Sequence, residues 1–224
     1  MPHAQANGLS IYYETHGPED AEPILLIMGL GAQLTRWPDA FCRRLADAGF
    51  RVVRYDNRDV GLSTKFEAAG VPNIPELFQR AMRGQTVESA YTLEDMARDG
   101  VGLLDALGIP KAHIVGASMG GMIAQVFAAN HPDRALSLVS IMSTSGRPGL
   151  PPGTPEAMAA LMASPPANDR ESIVRHRSKG RRVVGSRTYP EDEAGLRRQV
   201  EESHDRSYYP QGTARQTAAV LRNV

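Results

Sequence analysis

Gly116-Ala117-Ser118-Met119-Gly120 is a G-x-S-x-G pentad set between an apolar segment ending at Val115 and a helix-period segment opening at Met119. A strand that turns at once into a helix forces its central residue into strained backbone geometry, which small neighbours permit. The turn lifts the Ser118 hydroxyl above the sheet edge, where it can act as a nucleophile toward a carbonyl carbon at the carboxyl end of the strands. A second segment, Gly29-Leu30-Gly31, follows an apolar run at the place where a backbone N–H would meet a developing oxyanion. The Leu30 N–H is the candidate donor, and the Met119 N–H, at a helix amino terminus, is its partner. Taken alone, Gly-x-Gly after a strand is also an ordinary turn; its weight comes from Ser118.

These residues need a scaffold, and the rest of the chain supplies its pattern. Asn7-Gly8 before the alternating stretch Leu9 to Glu14 signals an opening hairpin. Pro23 to Met28 is a continuous apolar run, as in a strand buried on both faces of a parallel sheet. Phe41 to Ala48 has helical spacing and stops at Gly49, after which Phe50 to Tyr55 is another strand. Thr92-Leu93-Glu94-Asp95 starts a helix that Gly108 and Pro110 end. Ala112 to Val115, Met119 to Asn130 and Ala135 to Ile141 continue as strand, helix, strand. The expected fold is α/β, a doubly wound and mainly parallel sheet, with residues 1–145 as its core. From 146 to 224 the composition turns Pro- and Gly-rich and then Arg-rich, with helix candidates at 154 onward, 169–182, 190–205 and 213–221; this region is expected to be a helical lid after the sixth strand.

The chain resembles the α/β-hydrolase family with a helical cap, in the esterase branch that includes aclacinomycin methylesterase. The resemblance rests on Ile27-Met28-Gly29-Leu30-Gly31, on Tyr55-Asp56-Asn57-Arg58-Asp59-Val60-Gly61-Leu62-Ser63, and on Val115 to Ala124. It implies Ser118 as nucleophile, the Leu30 and Met119 amides as oxyanion hole, and a structural role for the Asp56 loop. Met28 stands where many relatives carry a histidine, which is usually structural.

A serine hydroxyl is a poor nucleophile without a neighbouring base. In this fold the chain order is Ser, then Asp or Glu, then His, with the last two in loops after later strands. Those strands are expected to be missing here, as two further strand–helix units would add roughly 40 to 50 residues beyond Val224. The six histidines do not obviously replace the base. His3 and His16 precede the sheet core, His113 opens the strand leading to Ser118, and His131 lies one helix length beyond it. His176, among Arg175, Arg177 and Lys179, and His204, in Ser203-His204-Asp205, are both read as solvated lid residues, with His204 as a replacement base only the minor alternative. The loop after Ile141 reads Met142-Ser143-Thr144-Ser145 and offers no carboxylate. Trp37 lines a pocket or packs, Arg175 to Arg187 form a solvated face, and Met119, Met122, Met158 and Met162 are expected to be core.

Composition narrows the classes. With 25 basic and 25 acidic residues the formal charge is zero, which speaks against nucleic acid or an anionic membrane as partner. A hydrophobic fraction of 42% in 224 residues is enough for a folded core. The single cysteine, Cys42, forms no internal disulfide and no thiolate metal site, so no metal and no cofactor are expected. No apolar run approaches membrane-spanning length and the first residues lack a secretory pattern, so the cytoplasm is the expected compartment. The function these readings support is hydrolysis of a small apolar carboxylic ester through a Ser118 acyl-enzyme. The alternatives are a non-catalytic small-molecule binder on the same fold, or a cofactor-free haloperoxidase or acyltransferase relative. Self-association through an uncovered sheet edge is a further expectation.

Overall fold

Asn7 and Gly8 carry φ values of 50° and 76°, the paired positive dihedrals of a tight hairpin turn, and they join strands β1 (His3–Ala6) and β2 (Leu9–His16). The computed structural model describes residues 2–147, 149–151 and 153–223. Strands β3 (Glu22–Ile27), β4 (Phe50–Tyr55), β5 (Ala112–Ala117) and β6 (Ala135–Ile141) complete a six-stranded sheet in the order β1-β2-β4-β3-β5-β6. β1 and β2, and β2 and β4, pair antiparallel; β4, β3, β5 and β6 run parallel, with Leu25 opposite both Val53 and Ile114. The expected α/β architecture is therefore present, with the opening hairpin as its antiparallel edge.

Helices cover both faces, as the sequence periodicity requires. Helices α3 (Leu93–Ala106) and α4 (Met119–Asn130) meet one face through Met96, Leu103, Leu104, Ile123 and Phe127 against Ile11, Leu25, Ile27, Val53 and Ile114. Helix α1 (Asp39–Asp47) covers the other, where Trp37 and Cys42 pack on Ile24, Leu26, Met28 and Val52. Leu25, Leu26 and Ile27 on the central strand have no exposed surface, which explains why that strand reads as an unbroken apolar run. The start of α3 is a capping box: Thr92 Oγ1 accepts from the Asp95 N–H and the Asp95 carboxylate accepts from the Thr92 N–H. Helix α2 (Ile74–Met82) was not foreseen, although Asn73 caps it and Pro75 occupies its first turn.

The chain divides into two compact units, Met1–Pro148 with Tyr209–Val224, and Gly149–Tyr208. The second unit holds helices α5 (Pro155–Met162), α6 (Arg170–Val184) and α7 (Glu193–Arg206), with Val174 of α6 and Leu196 and Val200 of α7 forming a buried cluster. The last helix, α8 (Pro210–Arg222), read from the sequence as part of the lid, instead groups with the sheet-bearing unit, with Arg215, Gln216, Ala218 and Ala219 buried. An Arg-and-Thr-rich helix looks solvated until its burial is known. Pro148 and Pro152, in the stretch that the sequence marks as a boundary, lie outside the described residues. β6 ends the sheet order among the described residues, and its Leu136, Leu138, Val139 and Ile141 are 38%, 42%, 45% and 42% exposed.

Candidate active site

β5 runs into α4 through a single residue, Ser118, whose φ of 57° and ψ of −125° lie outside the regions ordinary L-residues favour. The backbone is held there on both sides. The Ser118 N–H donates to the Ile141 carbonyl on the neighbouring strand at 2.9 Å, and the Ser118 carbonyl accepts from the Gly121 N–H at 2.8 Å and from Ser143 Oγ at 2.8 Å. The two motif glycines are demanded by close packing rather than by flexibility: a Cβ on Gly116 would stand 2.0 Å from the Gly120 carbonyl oxygen, and one on Gly120 would stand 2.2 Å from the Ile27 carbonyl oxygen.

The turn after β3 lies against this elbow, for a Cβ on Gly29 would meet Ser118 Cβ at 2.9 Å. Its polar groups are accounted for one by one. The Met28 carbonyl accepts from Asn57 Nδ2 at 2.8 Å, the Gly31 N–H donates to Gln216 Oε1 at 2.8 Å, the Ala32 N–H donates to the Gly29 carbonyl at 3.2 Å, and the Leu34 N–H donates to Asp56 Oδ1 at 2.8 Å. Among the described residues the Leu30 N–H donates to no protein acceptor, and neither does the Met119 N–H, the first of α4. The three residues singled out from the sequence are thus brought to one place.

Asn57 and Asp56 belong to a buried loop, 56–63, in which Arg58 and Asp59 are each ion-paired. Asp59, at φ 69°, is fully buried and accepts from Arg215 Nε and Nη2 at 2.8 Å each, from the Tyr91 hydroxyl at 2.8 Å and from the Phe66 N–H at 2.8 Å. Burial pushes its carboxyl up, but the hydrogen bonds from Arg215, Phe66 and Tyr91 outweigh that and hold it below the usual carboxylate range. Arg58 forms a second buried pair with Asp99, its Nε and Nη2 each 2.6 Å from a carboxylate oxygen. There burial prevails and raises the Asp99 carboxyl despite the guanidinium. Sequence reading missed Arg215 and Gln216 because nothing local distinguishes them from the helix's exposed residues.

No histidine hydrogen-bonds Ser118 among the described residues. His113 sits at the opposite end of β5, its Nδ1 2.7 Å from Ser137 Oγ and its Nε2 2.5 Å from Glu22 Oε1. His3 Nδ1 lies 3.1 Å from Ser10 Oγ, and His131 packs edge-on against Phe127. In the second unit His176 Nε2 lies 3.0 Å from the Ala163 carbonyl, and His204 stacks on Tyr208 with its ring centroid 4.9 Å away. Burial lowers the His204 pKa, and neighbouring Asp205 only partly opposes this. Trp37 is 7% exposed and stacked on Phe41, a packing role. The arginines between 175 and 187 are engaged: Arg181 with Glu191, Arg182 with Glu193, and Arg177 over the Tyr208 ring. Met119 and Met122 are core, whereas Met158 and Met162 are 40% and 50% exposed, against the expectation, because α5 buries no side chain fully. Among the described residues no three His, Cys, Asp or Glu side chains are grouped to hold a metal, and no helix is long and apolar enough to cross a membrane.

A parallel sheet with an antiparallel leading hairpin, and a serine at a strand–helix elbow beside a glycine turn, define an α/β-hydrolase. The chain belongs to the α/β-hydrolase fold family, whose model matches residues 22–180. It is 31% identical over 199 residues to the rhodomycin D methylesterase of a Streptomyces species, covering 81% of this chain and 60% of that protein. Over 137 residues it is 34% identical to a provisionally named carbamate hydrolase of Variovorax paradoxus, covering 61% of this chain and 44% of that one. Among solved structures, the enol-lactonase from Burkholderia xenovorans superposes with a TM-score of 0.68 at 26% identity, covering 99% of this chain and 74% of that chain. The chain thus spans between 44% and 60% of the length of these curated relatives.

Proposed function

We propose that the protein is a serine hydrolase acting on small, apolar carboxylic esters. The observation that carries the proposal is the strained Ser118 elbow with two backbone N–H groups beside it, Leu30 and Met119, that are unengaged among the described residues. Ser118 Oγ attacks the acyl carbon, and its proton passes to a base. Negative charge gathers on the former carbonyl oxygen and is held by the two amides, at least one of which sits at the positive end of a helix. The C–O bond to the alcohol then breaks, and the leaving alkoxide takes up a proton. Water attacks the acyl-enzyme, releasing the acid and restoring Ser118. A methylesterase and an enol-lactonase among the similar proteins favour an ester or lactone carbonyl over other electrophiles. Serine at the elbow argues against chemistry that needs a carboxylate nucleophile. The buried, unpaired Cys42 supports a reducing compartment, the cytoplasm.

That no histidine is bonded to Ser118 among the described residues favours a second reading, a hydrolase-fold binder in which Ser118 is a remnant. The test is hydrolysis of p-nitrophenyl acetate by residues 1–224 and by Ser118→Ala, with and without added imidazole. A hydrolase gives a rate far below that of a complete Ser–His–acid enzyme, raised by imidazole acting as base and abolished in Ser118→Ala. An equal rate in both proteins at every imidazole concentration selects the binder.

A further inference from the structure

The turn that presents the Leu30 N–H is made by a contact from the far end of the sequence. Gln216, on α8, is completely buried. Its side-chain oxygen accepts from the Gly31 N–H at 2.8 Å, and its side-chain nitrogen donates to the Arg58 carbonyl at 2.8 Å. Gly31 has a φ of 61°, and its Cα faces Thr213 one helical turn before Gln216, so closely that a Cβ would meet Thr213 Oγ1 at 2.7 Å. One residue before Gln216, Arg215 locks the helix to Asp59. The side chain therefore has little freedom. It bridges the turn after β3 to the loop after β4, and the donor next to the one it captures is the Leu30 N–H.

We propose that Gln216 is a positioning residue for ester hydrolysis: by occupying the Gly31 N–H it fixes the Leu30–Gly31 peptide plane, and through the shared Leu30 Cα it restrains the preceding plane, whose Leu30 N–H is aimed at the substrate's carbonyl oxygen. The inference rests on the hydrolase reading of Ser118. A residue at this place must accept from one backbone group and donate to another while remaining neutral. An amide meets all three conditions. A carboxylate keeps the bond to Gly31 but faces the Arg58 carbonyl with a lone pair and sets a negative charge beside the site of the oxyanion. A protonated carboxylic acid matches the amide again, its hydroxyl donating to Arg58 and its carbonyl accepting from Gly31.

That equivalence gives the test. Gln216→Glu and Gln216→Met are compared with the unmodified chain for exchange of the Gly31 amide by NMR and for kcat and KM on p-nitrophenyl acetate at fixed imidazole. Gln216→Met exchanges Gly31 at least about tenfold faster and loses about ten- to a hundredfold in kcat with KM unchanged, the scale of a misaimed rather than deleted donor. Gln216→Glu is impaired at pH 8, and its rate relative to the unmodified chain climbs back toward unity as the pH is lowered and the carboxylate takes up its proton. A deficit in Gln216→Glu that does not change with pH, or a Gln216→Met variant with unaltered Gly31 exchange, overturns the proposal. Ser118→Ala run alongside separates the two claims. If it leaves the rate unchanged the hydrolase reading falls, and Gly31 exchange alone then decides whether Gln216 sets the turn.

Discussion

Replacing Arg215 by methionine removes the guanidinium and keeps most of its volume. The side chains of Arg215 and Asp59 are 2% and 0% exposed, so water does not replace the lost partner. Asp59 keeps the Phe66 N–H and the Tyr91 hydroxyl but loses both arginine bonds, and the Gly70 carbonyl loses its donor at 2.6 Å. Leaving one member of a buried ion pair uncompensated costs about 3–5 kcal/mol. With a urea slope of about 2–3 kcal/mol per molar for a chain of this size, the midpoint falls by roughly 1–2.5 M. The double variant Asp59→Asn/Arg215→Met recovers most of that, because a neutral amide can accept from Phe66, donate to Tyr91 and tolerate a φ of 69°. The pH dependence follows from the direction of the Asp59 shift. Its folded-state pKa is depressed, so its contribution is complete above the unfolded value of 3.8 and is lost as the pH falls through the folded value. Without Arg215, burial instead raises that pKa, and acid relieves the stranded charge. The gap between the two proteins is therefore widest at neutral pH and narrows on acidification. Urea titrations followed by circular dichroism at pH 7 and near pH 4 measure it. A loss below about 1 kcal/mol, or a double variant no more stable than the single one, would refute the account of Asp59 as a buried anion dependent on Arg215.

Two further outcomes are expected. Gly120→Ala places a methyl 2.2 Å from the Ile27 carbonyl oxygen and 2.7 Å from its carbon, both backbone of the central strand, so the elbow must open; a loss of about 3 kcal/mol lowers the melting temperature by roughly 6–12 °C, and an unchanged melting temperature would contradict the packing argument. The charge-free strand β6, with Leu138 and Val139 42% and 45% exposed, is expected to draw copies of the chain together. Sedimentation of the unmodified chain then shows species larger than a monomer, and Val139→Lys shifts them to monomer with its circular dichroism unchanged; a monodisperse unmodified monomer sinks the idea.

How far the sequence could be read depended on whether a residue's environment was local. The Asn7-Gly8 turn, the Thr92 capping box and the apolar run of β3 are each set by neighbours in sequence, and each was legible. The Gly116 and Gly120 positions were legible as a motif, and the structure supplies the reason, since both face backbone atoms at distances no side chain allows. α8 was legible as a helix but not as a buried one. Its Arg215 and Gln216 find their partners 156, 185 and 158 residues upstream, and arginine or glutamine on a helix otherwise reads as solvent-facing. Asp59 was visible inside a family-like segment, yet its charge state depends on Arg215, which no local pattern announces.

This division has a chemical basis. The strain at Ser118 and the two amides, Leu30 and Met119, that meet no acceptor among the described residues are properties of backbone, and backbone geometry leaves its mark in glycines and in the strand–helix order around them. A general base acts through a side chain, which any element can present, so it leaves no local signature. The side chains that hold the backbone in place stand between these cases. Asn57, Asp56 and Gln216 each satisfy one group of the turn that carries Leu30, and none touches Ser118 through a hydrogen bond. Two of the three lie in the family-like loop, and the third comes from a helix the sequence assigned elsewhere. The precision of the Leu30 N–H therefore depends on α8 being docked. A change that loosens α8, such as Arg215→Met, is expected to lower kcat through Gln216 even at urea concentrations far below the unfolding midpoint. Such a loss, measured with KM unchanged, would tie the buried ion pair to the reaction, and a kcat that stays constant until the chain unfolds would separate them.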